Sequence, residues 1–185
     1  MLTNHEHAPS AWVRRFAPLI QQGGHVLDLA VGAGRHTRLL LDMGFRVMAV
    51  DRNVDALRAL AGARCAVREL DLESGVPGNA LGALGGGYDG IVVTNYLHRP
   101  LFPVLAEVLA QGGVVIYETF AAGNERFGRP SNPDFLLRPG ELLQAFAALT
   151  VIAFEQGELS LPRPAAVQRI AAVAGTPGRL PVSAE

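Results

Sequence analysis

The strongest chemical signal in this chain is a glycine turn that follows an apolar run. Gly32, Ala33 and Gly34 come one residue after the largely apolar run 25–30 and directly before a segment of helical pattern at 35–43. Glycines at both ends of so short a turn let the backbone approach a ligand closely, and the next helix presents free N–H groups at its start. The turn predicts a nucleotide-like ligand, although the same pattern also occurs as a tight turn with nothing bound.

Three acidic positions indicate which ligand this turn would hold. Asp28 lies inside the first apolar run, where a carboxylate suits a ligand that carries an ammonium group. Asp51 ends the second run, 19 residues after Gly32, where its two oxygens can accept hydrogen bonds from the two hydroxyls of a ribose. Asp71 and Leu72 end the third run and offer a polar partner for an adenine amine and an apolar one for its ring.

A nicotinamide oxidoreductase is the alternative interpretation, since it would share Gly32, Gly34 and Asp51. The dinucleotide fingerprint requires a third glycine at position 37, where this chain has Thr37. The chain also contains no lysine, so the usual short-chain catalytic set cannot be present. A module that binds a cofactor without catalysing a reaction is a second alternative.

Candidate residues for an acceptor follow the fourth apolar run. Asn95, Tyr96 and His98 come after residues 88–94, at the edge of an open α/β sheet where ligands bind. His98 has the chemistry of a general base, or it simply precedes the helix that Pro100 begins.

Further candidates lie in the fifth apolar run and in the segment after it. Glu118 interrupts the run 114–120, so it either orients an acceptor or pairs with an arginine. Residues 121–137 form a long segment rich in glycine and proline, which we interpret as a lid loop. Arg126 and Phe127 are its candidate substrate-binding residues, and Phe135 either lines a pocket or pins the loop to the core.

Alternating strand and helix patterns predict the elements that position these residues. The predicted strands are 25–30, 45–50, 64–70, 88–94 and 114–120, and the predicted helices begin near Trp12 and cover 35–43, 53–61, 100–110 and 139–148. Residues 149–159 and 165–174 predict two further strands that are antiparallel neighbours. This order is typical of a doubly wound α/β sheet with crossover helices.

Together these motifs resemble class I S-adenosylmethionine-dependent methyltransferases over residues 12–174. The glycine motif is LDLAVGAG (27–34), the fourth-strand motif YDGIVVTNYLH (88–98) and the fifth-strand motif GGVVIYETF (112–120). The sequence departs from the usual pattern at Val31 and Arg35. GRHT (34–37) and FAAGNERFGRPSNPDFLLRPGEL (120–142) are similar to small bacterial methyltransferases related to tellurite-resistance proteins.

The resemblance implies a Rossmann-like, seven-stranded, mostly parallel sheet with an antiparallel last strand and helices on both faces. It implies S-adenosylmethionine as the methyl donor, S-adenosylhomocysteine as the product, and a small-molecule acceptor. The implied cofactor-binding residues are Asp28, Gly32, Ala33, Gly34, Asp51, Arg52, Asp71, Leu72, Asn95 and Tyr96. Tyr96, His98 and Glu118 are the candidate catalytic residues, and no metal site is expected.

Composition sets the outer limits of these hypotheses. The 185 residues predict one domain with tails at 1–9 and 176–185, and a hydrophobic content of 49% excludes a largely disordered chain. A net charge of -1 argues against nucleic-acid binding through bulk charge. The single cysteine, Cys65, excludes an intrachain disulfide, and the lack of a long apolar run predicts a cytoplasmic protein that does not enter membranes.

Overall fold

The computed structural model describes residues 8–75, 82–161 and 163–178. In these ranges the strands are β1 (His25–Leu29), β2 (Arg46–Asp51), β3 (Cys65–Glu69), β4 (Tyr88–Thr94), β5 (Leu109–Phe120), β6 (Thr150–Leu159) and β7 (Ala165–Val173). The α-helices are α1 (Ala11–Phe16), α2 (Arg35–Asp42), α3 (Phe102–Glu107) and α4 (Glu141–Ala145). Several short 3-10 turns join them.

The strands form one seven-stranded sheet in the order β3-β2-β1-β4-β5-β7-β6. Strands β1 to β5 pair in parallel, and β7 is antiparallel to both of its neighbours, β5 and β6. The predicted topology is therefore confirmed. The strand order reverses between β1 and β4, and ligands of open α/β sheets bind outside the carboxyl ends of the strands at such a point.

Both faces of the sheet are covered, which explains why the central strands are apolar at consecutive positions. Val26 and Val92 belong to one buried cluster, whereas their chain neighbours Leu27 and Val93 belong to the other. Helices α1 and α2 contribute to the first cluster, and α3 and α4 contribute to the second. A parallel sheet buried on both faces has this pattern.

The N-terminal helix packs on the sheet as its apolar spacing predicts. Trp12 and Phe16 are buried, and the Trp12 indole N–H donates to the carbonyl of Ile170 in β7 at 3.2 Å. The Ser10 hydroxyl caps the helix by accepting a hydrogen bond from the backbone N–H of Trp12 at 3.1 Å. Leu19 is only half-buried, so it lies at the margin of this contact.

The helix predicted at 53–61 is instead a 3-10 helix at Asp55–Leu60. A 3-10 helix rises about 2.0 Å per residue, against about 1.5 Å in an α-helix. A 3-10 helix therefore covers a longer distance per residue, which suits the short connection between β2 and β3.

The helix predicted at 100–110 is also shorter than expected, since α3 ends at Glu107 and β5 already begins at Leu109. The register between β4 and β5 shifts between Tyr88 and Gly90, so Gly112 and Gly113 lie in a bulge rather than at the end of a helix. A Cβ on Gly113 would lie 2.7 Å from the Tyr88 carbonyl oxygen, which explains the glycine at this position.

Residues 1–7 and 179–185 of the predicted tails lie outside the described residues, as do residues 76–81 between β3 and β4. In the described ranges, every helix is too short or too polar to cross a membrane.

Candidate active site

The glycine turn after β1 uses its two glycines for different reasons. Gly32 has φ +58° and Gly34 has φ +83°, a region that side chains rarely adopt. A Cβ on Gly34 would lie 2.9 Å from Leu60 Cδ1 and 3.0 Å from Leu57 Cδ2, so the 3-10 helix packs directly against it. A Cβ on Gly32 would meet nothing within 4 Å. Gly34 is therefore needed for packing, whereas Gly32 leaves open space beside the turn.

Asp51 at the end of β2 holds this turn in place. One carboxylate oxygen accepts from the backbone N–H of Gly32 at 2.8 Å, and the other accepts from that of Asn53 at 3.0 Å. A carboxylate oxygen has more than one acceptor site, so each can still accept a hydroxyl proton from a ligand.

A cavity of about 350 Å³ opens at the carboxyl ends of β1 and β2. Its volume lies within the range of small-molecule pockets. Its walls are Ala30, Asp51, Arg52, Leu70, Asp71, Leu72, Glu73, Tyr96 and Phe135. The structure thus brings together five of the predicted cofactor-binding residues, which are Asp51, Arg52, Asp71, Leu72 and Tyr96.

Asp28 does not line this cavity. It is 2% exposed, and its carboxyl group accepts a hydrogen bond from the Thr37 hydroxyl at 2.6 Å. Burial raises the pKa of Asp28 to about 7, although the bond from Thr37 opposes the shift. The carboxyl therefore joins β1 to α2.

A second cavity of about 240 Å³ adjoins the first at the carboxyl ends of β4 and β5. Its walls are Glu73, Asn95, Tyr96, Leu97, Thr119, Phe120, Pro130 and Phe135. Glu73, Tyr96 and Phe135 line both cavities and so mark their junction. Asn95 turns the chain here with φ +55°, a value that asparagine tolerates better than most residues.

The three candidate catalytic residues have different surroundings. Burial and the Glu73 carboxylate raise the pKa of Tyr96, so its hydroxyl stays protonated. His98 lies just before the 3-10 helix Arg99–Leu101 and outside the walls of both cavities. Tyr96 therefore reaches the junction of the two cavities, and His98 does not.

Glu118 is paired, and it also lies outside both walls. Its carboxylate accepts from the Arg169 guanidinium at 3.2 Å and from the Ser10 hydroxyl at 2.8 Å. Of the two roles that the sequence leaves open, the structure shows the arginine pair. Through Ser10, this pair also connects the N-terminal segment to β5.

His36 is a buried member of the same region that the sequence interpretation missed. Its Nε2 accepts from the backbone N–H of Ser10 at 3.0 Å, so Nδ1 carries the proton and donates to the Thr94 hydroxyl at 3.2 Å. Burial lowers the pKa of His36 to about 3, which keeps the ring neutral. The ring therefore connects α2 to the end of β4 and to the N-terminal segment.

The segment 121–137 is tied to the sheet near both ends. Leu137 donates to the Phe120 carbonyl at 3.0 Å and accepts from the backbone N–H of Ala122 at 2.9 Å. The buried Asn124 amide donates to the Pro130 carbonyl at 3.0 Å and accepts from the backbone N–H of Ala166 at 3.2 Å. The long connection is therefore an anchored loop with an exposed middle.

The two predicted substrate-binding residues of this loop lie outside the walls of both cavities. The Arg126 guanidinium pairs with Glu158 of β6 at 2.5 Å and stacks over the Phe127 ring, 5.3 Å from its centroid. Pro130 and Phe135 are the loop residues that reach the cavities.

The sequence interpretation also missed several wall residues. Glu73 stands three positions beyond the predicted strand 64–70, and Thr119 and Phe120 are the last two residues of the predicted strand 114–120. The rule that ligands bind at the carboxyl ends of strands was the signal that pointed to these three. Pro130 carries no comparable signal, since the fold of the loop decides where it lies.

The described part of the chain contains no cluster of three or more histidine, cysteine or acidic residues arranged to hold a metal ion.

Comparison with solved structures finds methyltransferases of the same architecture. TehB from Haemophilus influenzae superposes with a TM-score of 0.68 at 17% identity, covering 86% of this chain and 60% of the TehB chain. This chain thus spans about three fifths of the length of TehB. The glycopeptide N-methyltransferase MtfA, solved with S-adenosylmethionine, gives a TM-score of 0.60 at 21% identity, covering 88% of this chain and 92% of MtfA.

A third structure, a S-adenosylmethionine-dependent methyltransferase from Methanosarcina mazei, gives a TM-score of 0.65 at 14% identity. It covers 90% of this chain, which in turn covers 98% of it. No protein-family model matches the chain, and no curated protein matches its sequence significantly. At these identities the likeness establishes the architecture: the chain has the Rossmann-like fold of the class I S-adenosylmethionine-dependent methyltransferases.

Proposed function

We propose that this protein transfers a methyl group from S-adenosylmethionine to a small-molecule acceptor. One observation carries the proposal: the cavity at Asp51 and the glycine turn adjoins a second cavity at the ends of β4 and β5. The larger cavity has walls suited to an adenosine, and the smaller one has room for an acceptor. MtfA, which shares the fold, has been solved with S-adenosylmethionine, sinefungin and S-adenosylhomocysteine.

Different residues of the larger cavity suit the ribose, the adenine and the methionine part of the donor. Asp51 accepts from the ribose hydroxyls, and the open space at Gly32 lets the donor approach the turn. Asp71 offers a partner for the adenine amine, and Leu72 an apolar contact for the ring. The methionine part then extends past Tyr96 toward the junction of the two cavities.

The donor supplies a methyl group that its sulfonium already activates. The chain therefore has to align the acceptor with the methyl group and keep water away from it. Leu97, Phe120 and Phe135 provide apolar walls on the acceptor side. An acceptor cavity beside the donor site favours an enzyme over a module that only binds the cofactor.

Calorimetric titration of the protein with S-adenosylhomocysteine and, separately, with NADH tests this proposal. We expect S-adenosylhomocysteine to bind and NADH to give no heat. Position 37 is threonine instead of the third glycine of a dinucleotide site, and the described walls of the two cavities offer no site for the second nucleotide of NADH. Binding of NADH without binding of S-adenosylhomocysteine would favour the oxidoreductase interpretation instead.

Gly32→Ala should weaken binding of S-adenosylhomocysteine about tenfold or more, a loss of roughly 1.4 kcal/mol, because the new methyl group fills the space beside the turn. Gly23→Ala is the matched control, since Gly23 has φ +70° and also has nothing within 4 Å of its Cβ position. Both variants carry the backbone strain of a left-handed alanine, about 1–2 kcal/mol. Equal affinities in the two variants would show that Gly32 is needed for the conformation of the turn and not for space beside the ligand.

We also propose that the middle of the 121–137 loop acts as a lid. Phe135 lines both cavities and is 50% exposed. A ligand in either cavity would therefore pack against Phe135 and hold this part of the loop in place. Chymotrypsin should cut at Phe127 and Phe135, and S-adenosylhomocysteine should slow the cut at Phe135 several-fold. Equal cleavage rates with and without the ligand would make the loop a static cover.

A further inference from the structure

The charged groups around the smaller cavity determine which acceptors it suits. Among its described lining residues, Glu73 is the one that carries a formal charge, and Asn95, Tyr96 and Thr119 are neutral polar residues. The remaining walls are Leu97, Phe120, Pro130 and Phe135, which are apolar. A site of this composition favours a molecule that is mostly apolar and has one group that donates hydrogen bonds to a carboxylate.

Three arginines near the 121–137 loop and β5 are held in ion pairs and do not line the smaller cavity. Arg126 pairs with Glu158, and Arg169 bonds to Glu118 and Glu155. Arg99 bonds to Glu141 with nitrogen–oxygen distances of 2.6 and 3.1 Å. Arg52 lines the larger cavity but does not appear in the walls of the smaller one. An anionic acceptor would therefore meet the Glu73 carboxylate without a cation in the wall to offset the repulsion.

Glu73 lies where the two cavities meet. It lines both cavities together with Tyr96 and Phe135, so it stands at the junction between donor and acceptor. Its backbone N–H donates to the Asp71 carboxylate at 2.9 Å, which fixes the turn that carries it. The Glu73 carboxylate also raises the pKa of Tyr96, which places its charge close to that hydroxyl at the junction.

We propose that the acceptor is a small, largely apolar amine and that the Glu73 carboxylate binds its nitrogen beside the methyl group. This inference rests on the methyl-transfer function proposed above. The cavity of about 240 Å³ has the volume of about eight waters at ~30 Å³ each, which suits a molecule with one ring. Its apolar walls lie against the ring while the nitrogen faces the carboxylate.

The chemical step balances with the groups present. The neutral amine nitrogen uses its lone pair to form the N–C bond to the methyl group. The carbon–sulfur bond breaks, and its electron pair remains on sulfur, which becomes a neutral thioether. The nitrogen of the methylated product is then cationic, so the product leaves as an ammonium and no proton has to move. While it is bound, the Glu73 carboxylate offsets this positive charge.

The test compares benzylamine, benzyl alcohol and benzoate, which share one ring and differ in the reacting group. First, binding of S-adenosylhomocysteine is measured, and its absence would refute the proposed function itself. Each of the three probes is then titrated into the protein saturated with S-adenosylhomocysteine. We expect benzylamine to bind about tenfold or more tightly than the other two, because it is the one probe of the three that carries a positive charge to the Glu73 carboxylate.

Glu73→Gln should remove this preference for the amine, since it keeps the size of the side chain and removes its charge. Glu107→Gln, an exposed glutamate on α3, makes the same chemical change away from the cavities and should retain the preference. With the donor present, benzylamine should also be methylated faster than benzyl alcohol. The inference is overturned if S-adenosylhomocysteine binds but benzoate or benzyl alcohol binds as tightly as benzylamine. It is equally overturned if none of the three binds, or if Glu73→Gln keeps the preference.

Discussion

Asp51→Ala is expected to weaken binding of S-adenosylhomocysteine by about 2–3 kcal/mol, because charged hydrogen bonds to the ribose hydroxyls are lost. The variant also removes the bond from the Gly32 N–H, so the glycine turn loses its anchor. Calorimetry measures the change directly. An unchanged dissociation constant would remove Asp51 from the donor site.

Two further variants separate these contributions. Asp51→Asn keeps an oxygen for the backbone N–H groups but removes the charge, so it should retain part of the affinity. Asp55→Ala is the control for loss of a nearby carboxylate, since Asp55 pairs with Arg58 on the surface. We expect its affinity to equal that of the unmodified protein.

Asp28→Asn is expected to change how the stability of the unliganded protein depends on pH. The pKa of Asp28 is raised to about 7 in the folded state, from about 4 in the unfolded chain, so between these values the folded state binds the extra proton. The stability that this proton supplies is fully present below pH 4 and is lost as the pH rises through 7. Asparagine does not titrate, and its amide oxygen still accepts from the Thr37 hydroxyl.

The free energy of unfolding of the variant minus that of the original protein should therefore increase as the pH rises from 4 to 8, by up to about 4 kcal/mol. Denaturant unfolding at several pH values gives this difference. The buried His36 titrates with the opposite sign, but it is common to both proteins and cancels. A difference that stays constant across this range would contradict the buried, protonated state of Asp28.

The parts of the site that follow from local sequence were predictable. The strand, the glycine turn and the helix around Gly32 could be predicted directly, because the apolar pattern and the glycines determine local structure within a few residues. Asp51 was found in the same way, since its spacing from the turn places it at the end of the neighbouring strand.

The parts that depend on distant partners were not predictable. The partner of Arg126 is Glu158, 32 positions away on the edge strand β6, and no periodicity connects the two. The burial of Asn124 likewise depends on its bond to Ala166 in β7. These long-range pairs decide that Pro130 and Phe135, rather than Arg126 and Phe127, line the cavities.

A crystal structure of the protein with S-adenosylhomocysteine tests the central claim most directly. We expect the ribose hydroxyls on the Asp51 carboxylate, the adenine between Asp71 and Leu72, and the sulfur at the junction beside Glu73 and Tyr96. A ligand bound elsewhere, or one whose sulfur faces away from the smaller cavity, would contradict the proposed donor site.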